Sequence, residues 1–527
     1  MNPTQPGKLL WLIVLTVAWA LYGLNGRDAW QAEEARAFAT VLDSTQGHFV
    51  SLATPAPLFT WVATGFSALP MQFGLSHITL LDSSRWASGL FTLITLTALA
   101  LSARGLLGVG FGPAVVLALL GCLGFMLPAH AFIPETALLA MWALLFWGMG
   151  LARSAPKTSG IVLALSLTGL TLGLRGLPDL LAGLLLICLP LAWADWRSRT
   201  YWQSLAFGLT LTAALITLGM AYAASTGHLS LWWQTHVITA LHPKTWGIGA
   251  FSDLAWLAWP LWPLALTALW HDHRRLSRTP ALHLPLAALI ILLLLAPFPA
   301  WSRLGGLLPV LLPLALLSAY AMAHLRRGSA QAFYWFGVVC FAFFIVLFWI
   351  YFAAIELGLP TRLATHVAKL TPGYIRGSVA STSVWLAALA TGLWLIAVPL
   401  FPRAQTRPIL VWASGMTLVW VLIMALFRPW AEAGWGYRPT IMEIERHLPR
   451  DACLTLQVDP GMAAMLRYHL PRQTSLTSGR DCAWRLIGHT QTAAAHTAAT
   501  PWEVVWEGAR PRYKKQRYRL EHLRATP

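Results

Sequence analysis

Twenty acidic side chains are spread over 527 residues, and two of them are neighbours. Glu33 and Glu34 lie in Ala32-Glu33-Glu34-Ala35-Arg36, just after the first apolar run. A third carboxylate, Glu135, opens a later run in Phe132-Ile133-Pro134-Glu135-Thr136. A carboxylate at the edge of an apolar phase costs desolvation free energy, so it needs a partner or a task. Two tasks suit it: taking a proton from a nucleophile, or orienting a polar substrate. Adjacent carboxylates do not share a helix face, so one of the pair suffices for a site. Arg36, three positions on from Glu33, is placed to pair with it and keep it ionised. The plainer readings are a solvated loop for Glu33-Glu34 and a helix start after Pro134 for Glu135.

Arginines stand at matching positions. Arg85 opens one apolar run, Arg175 sits between two in Leu174-Arg175-Gly176-Leu177-Pro178-Asp179, and Arg303 precedes another in Trp301-Ser302-Arg303-Leu304. A guanidinium fork matches phosphate oxygens. Snorkelling to lipid headgroups is the ordinary alternative for an Arg at the end of a span. Histidines add little: His130, His236 and His242 lack zinc-like spacing and read as interfacial or solvated. No metal-ligand spacing appears among the five cysteines either, and no cofactor is expected.

These residues sit in an unusual chain. It is 57% hydrophobic and 11% charged, with mean hydropathy +0.60. That excludes a soluble domain of this length and predicts an α-helical polytopic membrane protein. Runs near the length needed to cross a bilayer occur at 9–25, 86–107, 112–128, 136–152, 159–175, 177–195, 203–223, 253–270, 281–298, 304–324, 331–354, 380–401 and 408–427, about 13 spans. The run 112–128 is short enough to be re-entrant. With the N-terminus inside, every inside loop holds a basic residue, from Lys8 and Arg104 to Arg403 and Arg407. Glu33, Glu34, Arg36, Arg85, Glu135, Arg175 and Arg303 then share the outside, where topology does not explain them. The first outside loop, about Gly26 to Arg85, contains Pro57–Ala63, too short to span and read as a helix lying in the interface. The net charge of +17 suits anionic headgroups and phosphates.

An odd number of spans places the tail outside. There charge rises and apolar runs shorten, giving two regions: a membrane domain at 1–427 and a small α/β domain at 428–527. Tyr437–Leu448 reads as a helix, Cys453–Val458 as a strand and Gly461–Tyr468 as a short helix. Trp484–Gly488 and Trp502–Glu507 read as strands, with Arg519–Leu523 continuing the last hairpin. The Ala/Thr-rich stretch 491–500 reads as a loop. Cys453 and Cys482 are the outside cysteines, either bridged or two separate buried thiols. The basic run Arg510–Arg517 reads as a solvated strand or a contact with anionic glycolipid.

The order of these features resembles the bacterial aminoarabinose lipid A transferases and related polyprenyl-phosphate-sugar glycosyltransferases. These belong to the GT-C superfamily, which includes the protein O-mannosyltransferases. The family's first-loop Asp-Glu-x-Arg appears as Glu33-Glu34-Ala35-Arg36, and its Lys-Pro-Pro-Leu as Pro55-Ala56-Pro57-Leu58 without the Lys. Its second-loop Asp appears as Glu135, and its Lys-Gly as Arg175-Gly176. Its basic residue before a Pro-rich span appears as Arg303, ahead of Leu308-Pro309 and Leu312-Pro313. The resemblance implies a GT-C fold in the bacterial inner membrane with a periplasmic C-terminal domain. It implies transfer of a sugar from a polyprenyl-phosphate donor to a lipid A-like lipid, a glycan or a protein, by inverting displacement. Glu33 and Glu135 would be catalytic, and Glu34, Arg36, Arg85, Arg175 and Arg303 would bind substrate or phosphate. A lipid-linked sugar transporter and a non-catalytic envelope scaffold are the alternatives. A transporter predicts internal repeats and midplane polar groups, whereas the charges here cluster at one edge.

Overall fold

The computed structural model describes residues 6–45, 47, 50–242, 249–273, 280–298, 304–449, 451–470, 475–477, 482–490 and 501–524. The first third is helical: α1 (Pro6–Leu21), α2 (Ala32–Thr45), α3 (Pro57–Gln72), α4 (Leu80–Leu106), α5 (Phe111–Leu120), α6 (Leu123–His130), α7 (Glu135–Leu151), α8 (Pro156–Thr171) and α9 (Leu177–Cys188). Two compact units emerge. The first holds Met1–Leu24, Phe49–Phe344 and Ala390–Trp420; the second holds Asn25–His48, Ile345–Leu389 and Val421–Pro527.

Each expected run overlaps a helix, though 253–270 is interrupted at 258–260. Among the described residues six helices are long and apolar enough to cross a bilayer unaided: α4, Arg199–Ser225, Gly305–His324, Arg327–Leu357, Ser381–Leu400 and Arg407–Leu426. A seventh crossing results if α5 and α6, bent by 78° against each other, count as one. Shorter apolar helices occur at Leu12–Leu21, Glu135–Leu151, Leu177–Ala192 and Ala281–Leu295. The run 112–128, expected as one segment, breaks at Gly121-Cys122 because other groups take over the helical ladder there. The Gly121 carbonyl accepts Trp412 Nε1–H at 2.8 Å, and Leu123 N–H donates to the Trp259 carbonyl at 3.0 Å. Leu389, Leu393 and Ile396 on Ser381–Leu400 are largely exposed, as on a helix that meets lipid.

Two expectations for the first loop are corrected. Glu33 and Glu34 lie in the first turn of α2, not in a loop. Glu34, Ala35, Phe38, Val41 and Leu42 form its buried stripe at helical spacing, a pattern masked by alanine. The interface helix expected over Pro57–Ala63 runs on to Gln72. It starts from Ala56 in the left-handed region, at φ 54°, a conformation that costs an L-residue about 1 kcal/mol or more. The strain falls within Pro55-Ala56-Pro57-Leu58.

In the second unit a five-stranded sheet has the order β2-β1-β3-β5-β4. Its strands are β1 (Cys453–Gln457), β2 (Ser475–Thr477), β3 (Trp484–Thr490), β4 (Trp502–Ala509) and β5 (Gln516–Leu523). β1 pairs in parallel with β2 and β3, whereas β5 pairs antiparallel with β3 and β4. Cys453 and Cys482 are joined by a disulfide, with Cα atoms 5.3 Å apart. The stretch 491–500 lies outside the described residues. The helix Pro460–His469 packs on α2: the Phe38 and Tyr468 rings meet edge to face at 5.0 Å. Gly461 permits this approach, since a Cβ there would stand 3.1 Å from Ala35 Cβ.

Candidate functional site

The turn that leads into α2 is held by buried charge. Arg27 grips Glu34 with both forks, Nη2 to Oε1 at 2.6 Å and Nη1 to Oε2 at 3.0 Å, and both side chains are buried. The Trp30 backbone N–H donates to Glu34 Oε2 at 2.9 Å. Glu34 therefore holds the turn. Its neighbour Glu33 is half-buried, with a carboxylate not taken up by that clamp. The expected Glu33–Arg36 pair is not among the ion pairs of the described residues, and Arg36 is exposed, because the α2 stripe turns it away from the packed face.

Sequence reading missed the groups beside this turn. The Asp28 N–H is shared by both Glu432 oxygens, at 3.0 and 3.1 Å, and Trp30 Nε1–H donates to Glu432 Oε1 at 2.8 Å. Asp28 Oδ2 accepts the Tyr437 and Arg438 N–H groups, each at 2.7 Å. Oδ1 accepts the Ala29 N–H at 2.9 Å and faces His469 Nε2 at 3.2 Å. Burial pushes Asp28 upward, but the His469 hydrogen bond and charge and the backbone donors outweigh it and hold the carboxyl below its ordinary range. Glu432 moves the other way: burial, then the Asp28 charge, raise it against the Trp30 and Asp28 donors and Arg27. Two signals pointed here. Arg27-Asp28 stand before the Glu pair with four residues between, and Glu432 stands alone among acids between Trp430 and Trp435.

Arg510 corrects a second expectation. The basic run was expected as a solvated strand or a contact with anionic glycolipid, but Arg510 is fully buried, its guanidinium 3.9 Å from the Tyr437 and Tyr513 ring centres. Nη1 donates to the Trp435 carbonyl at 3.1 Å, and Tyr513 Oη donates to the Trp30 carbonyl at 3.1 Å. Aromatic faces and carbonyls replace water around this cation. Burial first, then the Glu33 and Glu34 charges against Arg510, raise the Tyr513 phenol.

The first unit carries the remaining candidates. Glu135 is fully buried at the start of α7. Arg85 is fully buried in α4 and pairs with Asp82 one turn earlier at 3.3 Å. Arg175 is fully buried ahead of α9, with Nη2 donating to the Gly306 carbonyl at 2.9 Å and Nη1 3.5 Å from Asp179 Oδ1. Trp142 of α7 donates Nε1–H to the same Asp179 oxygen at 3.2 Å. Among the described residues Arg175 Nε and Nη1 find no hydrogen-bond acceptor. Gly176 beside it has φ +58°, and a Cβ there would stand 2.7 Å from the His236 carbonyl oxygen. Arg303 lies outside the described residues. His130 and His236 are buried, not solvated. Both His130 nitrogens lie 2.7 Å from backbone carbonyls, and its ring stacks on Trp420 at 4.1 Å.

No family model matches the sequence, and no curated protein matches it. Solved structures do. The crystal structure of ArnT from Cupriavidus metallidurans bound to undecaprenyl phosphate aligns with TM-score 0.65 and 16% identity over 98% of both chains. ArnT from the same organism in the apo state aligns with TM-score 0.63 and 17% identity, again over 98% of both. The chain shares the fold of these ArnT structures.

Proposed function

We propose that the protein is a membrane glycosyltransferase that moves a sugar from a polyprenyl-phosphate donor to a lipid A-like lipid, a glycan or a protein. The observation that carries this reading is the likeness to ArnT along nearly the whole chain, together with the undecaprenyl phosphate bound in one of those structures. Undecaprenyl phosphate is the leaving group such a transfer would produce. In the reaction the acceptor oxygen attacks the anomeric carbon and its proton passes to Glu33. The bond from that carbon to the phosphate oxygen breaks, its electron pair leaves with the phosphate, and configuration inverts. With an acceptor already ionised, Glu33 orients it instead. Glu33 suits the role because Glu34 is committed to Arg27. Arg175 would neutralise the leaving phosphate; its buried Nε–H, without an acceptor among the described residues, supports this. Arg303, Arg85 and Arg36 are assigned to phosphate on the resemblance alone, and Glu135 to positioning a substrate. We place the protein in the bacterial inner membrane with its N-terminus inside and the sheet outside, on the loop charges.

The test is purified protein in vesicles, given a polyprenyl-phosphate sugar labelled in the sugar. A transferase releases polyprenyl phosphate and passes label to an added acceptor. Movement of intact donor across the bilayer without release would show a transporter instead.

A further inference from the structure

Between the end of the helix Thr361–Leu370 and the β4–β5 turn lies a cavity of about 550 Å³. That volume falls within the range of ligand pockets, about 300–1,000 Å³. Its charged lining has one sign: Lys369 from the helix, and Arg512, Lys514 and Lys515 from the turn, with no carboxylate among the described lining residues. Four cations around one space repel each other and raise the local affinity for an anion.

The cations differ in burial. The Arg512 guanidinium lies 5.0 Å from the Trp430 ring centre and 5.2 Å from that of Trp435. Its backbone N–H donates to the Gly434 carbonyl at 3.2 Å, and its Nε–H is buried without an acceptor among the described residues. Lys369, Lys514 and Lys515 are exposed. A guanidinium packed against indoles, with exposed ammonium groups around it, matches the oxygens of a phosphate ester, which accept several charged donors at once.

We propose that this cavity binds a phosphate ester, with Arg512 as the fixed anchor and Lys514 and Lys515 closing on the anion. The inference does not rest on the transfer reading. Tyr513 also lines the cavity and donates to the Trp30 carbonyl, three residues before Glu33. An occupied cavity therefore bears on the turn that leads into α2.

The experiment uses the full-length protein in lipid discs of neutral phosphatidylcholine, titrated with glycerol 3-phosphate at low ionic strength. Tryptophan fluorescence reports binding, since Trp430 and Trp435 face Arg512. The native protein should bind saturably, and more weakly as salt is added. Lys514→Ala with Lys515→Ala should weaken binding at least about tenfold with the melting temperature unchanged, because both side chains are exposed. Arg512→Lys, which keeps the charge and loses the fork, should weaken it as well. Discs containing phosphatidylglycerol identify the source. Competition by the disc lipid marks a lipid headgroup, and its absence marks a soluble phosphate ester; both support the site. Equal binding by the double lysine variant, or no saturable binding by the native protein, overturns the proposal.

Discussion

The two units hide charge in different ways. In the first unit the buried pairs are local: Arg85 with Asp82, and Arg175 with Asp179, each one helical turn apart. In the second unit the short-range Arg27–Glu34 clamp stands beside partners that are remote in sequence. Asp28 N–H meets Glu432 across 404 residues, and Asp28 accepts from Arg438 across 410. A local pair forms with its helix. The remote set forms only when the first loop and the C-terminal region have folded together, so it reports on the tertiary structure of that unit. The difference also explains what each is suited to do. Beside its Asp179 pair, Arg175 keeps an Nε–H without an acceptor among the described residues, whereas Asp28 accepts the Ala29, Tyr437 and Arg438 N–H groups and Glu432 those of Asp28 and Trp30.

The largest effect is expected at the clamp beside the remote set. Arg27→Ala strands the buried Glu34 carboxylate, so stability of the second unit should fall by about 3–5 kcal/mol. Thermal unfolding of detergent-solubilised protein measures this. A loss under about 1 kcal/mol would show that the clamp is solvated in practice.

Asp28→Asn should cost about 1.5–3 kcal/mol, since it weakens several hydrogen bonds to one charged group. The native carboxyl titrates below its ordinary value of 3.8. Its contribution is therefore present above that value and lost as pH falls through the lower native one. The variant should flatten the acid limb of the pH–stability curve.

The smallest effect is expected at Glu432. Its native pKa lies above the ordinary 4.5. The stabilisation from its acid form is complete below 4.5 and is lost as pH rises through the native value. Glu432→Gln keeps an oxygen for the Asp28 and Trp30 donors and abolishes the titration. Stability should change by less than about 1 kcal/mol, with the decline above pH 4.5 removed. Asp28→Asn and Glu432→Gln thus act on opposite limbs of the same curve.

Much of this architecture is legible in the sequence. The apolar runs mark the helices, and alternating residues mark β1, β3, β4 and β5. β2 escaped notice because three residues, Ser475–Thr477, are too few to show alternation. α2 escaped because three of its seven buried residues are alanines. The site was half legible. Scarcity singled out Glu33, Glu34 and Glu135, but which of the two adjacent carboxylates is free depends on Arg27, and that was decided by packing. Glu432 and His469 were invisible as partners because sequence distance carries no information about contact. Arg510 was misread for the same reason: its solvent was replaced by Tyr437 and Tyr513, and Tyr437 lies 73 residues away.

The central claim is that Glu33 is the reactive carboxylate and Glu34 the structural one. Glu33→Gln preserves volume and removes only basicity, so it isolates the claim. In purified protein supplied with a polyprenyl-phosphate sugar, the account predicts a loss of transfer of at least about 100-fold with the melting temperature unchanged. Near-native transfer by Glu33→Gln would contradict it and leave the pair as a purely structural turn.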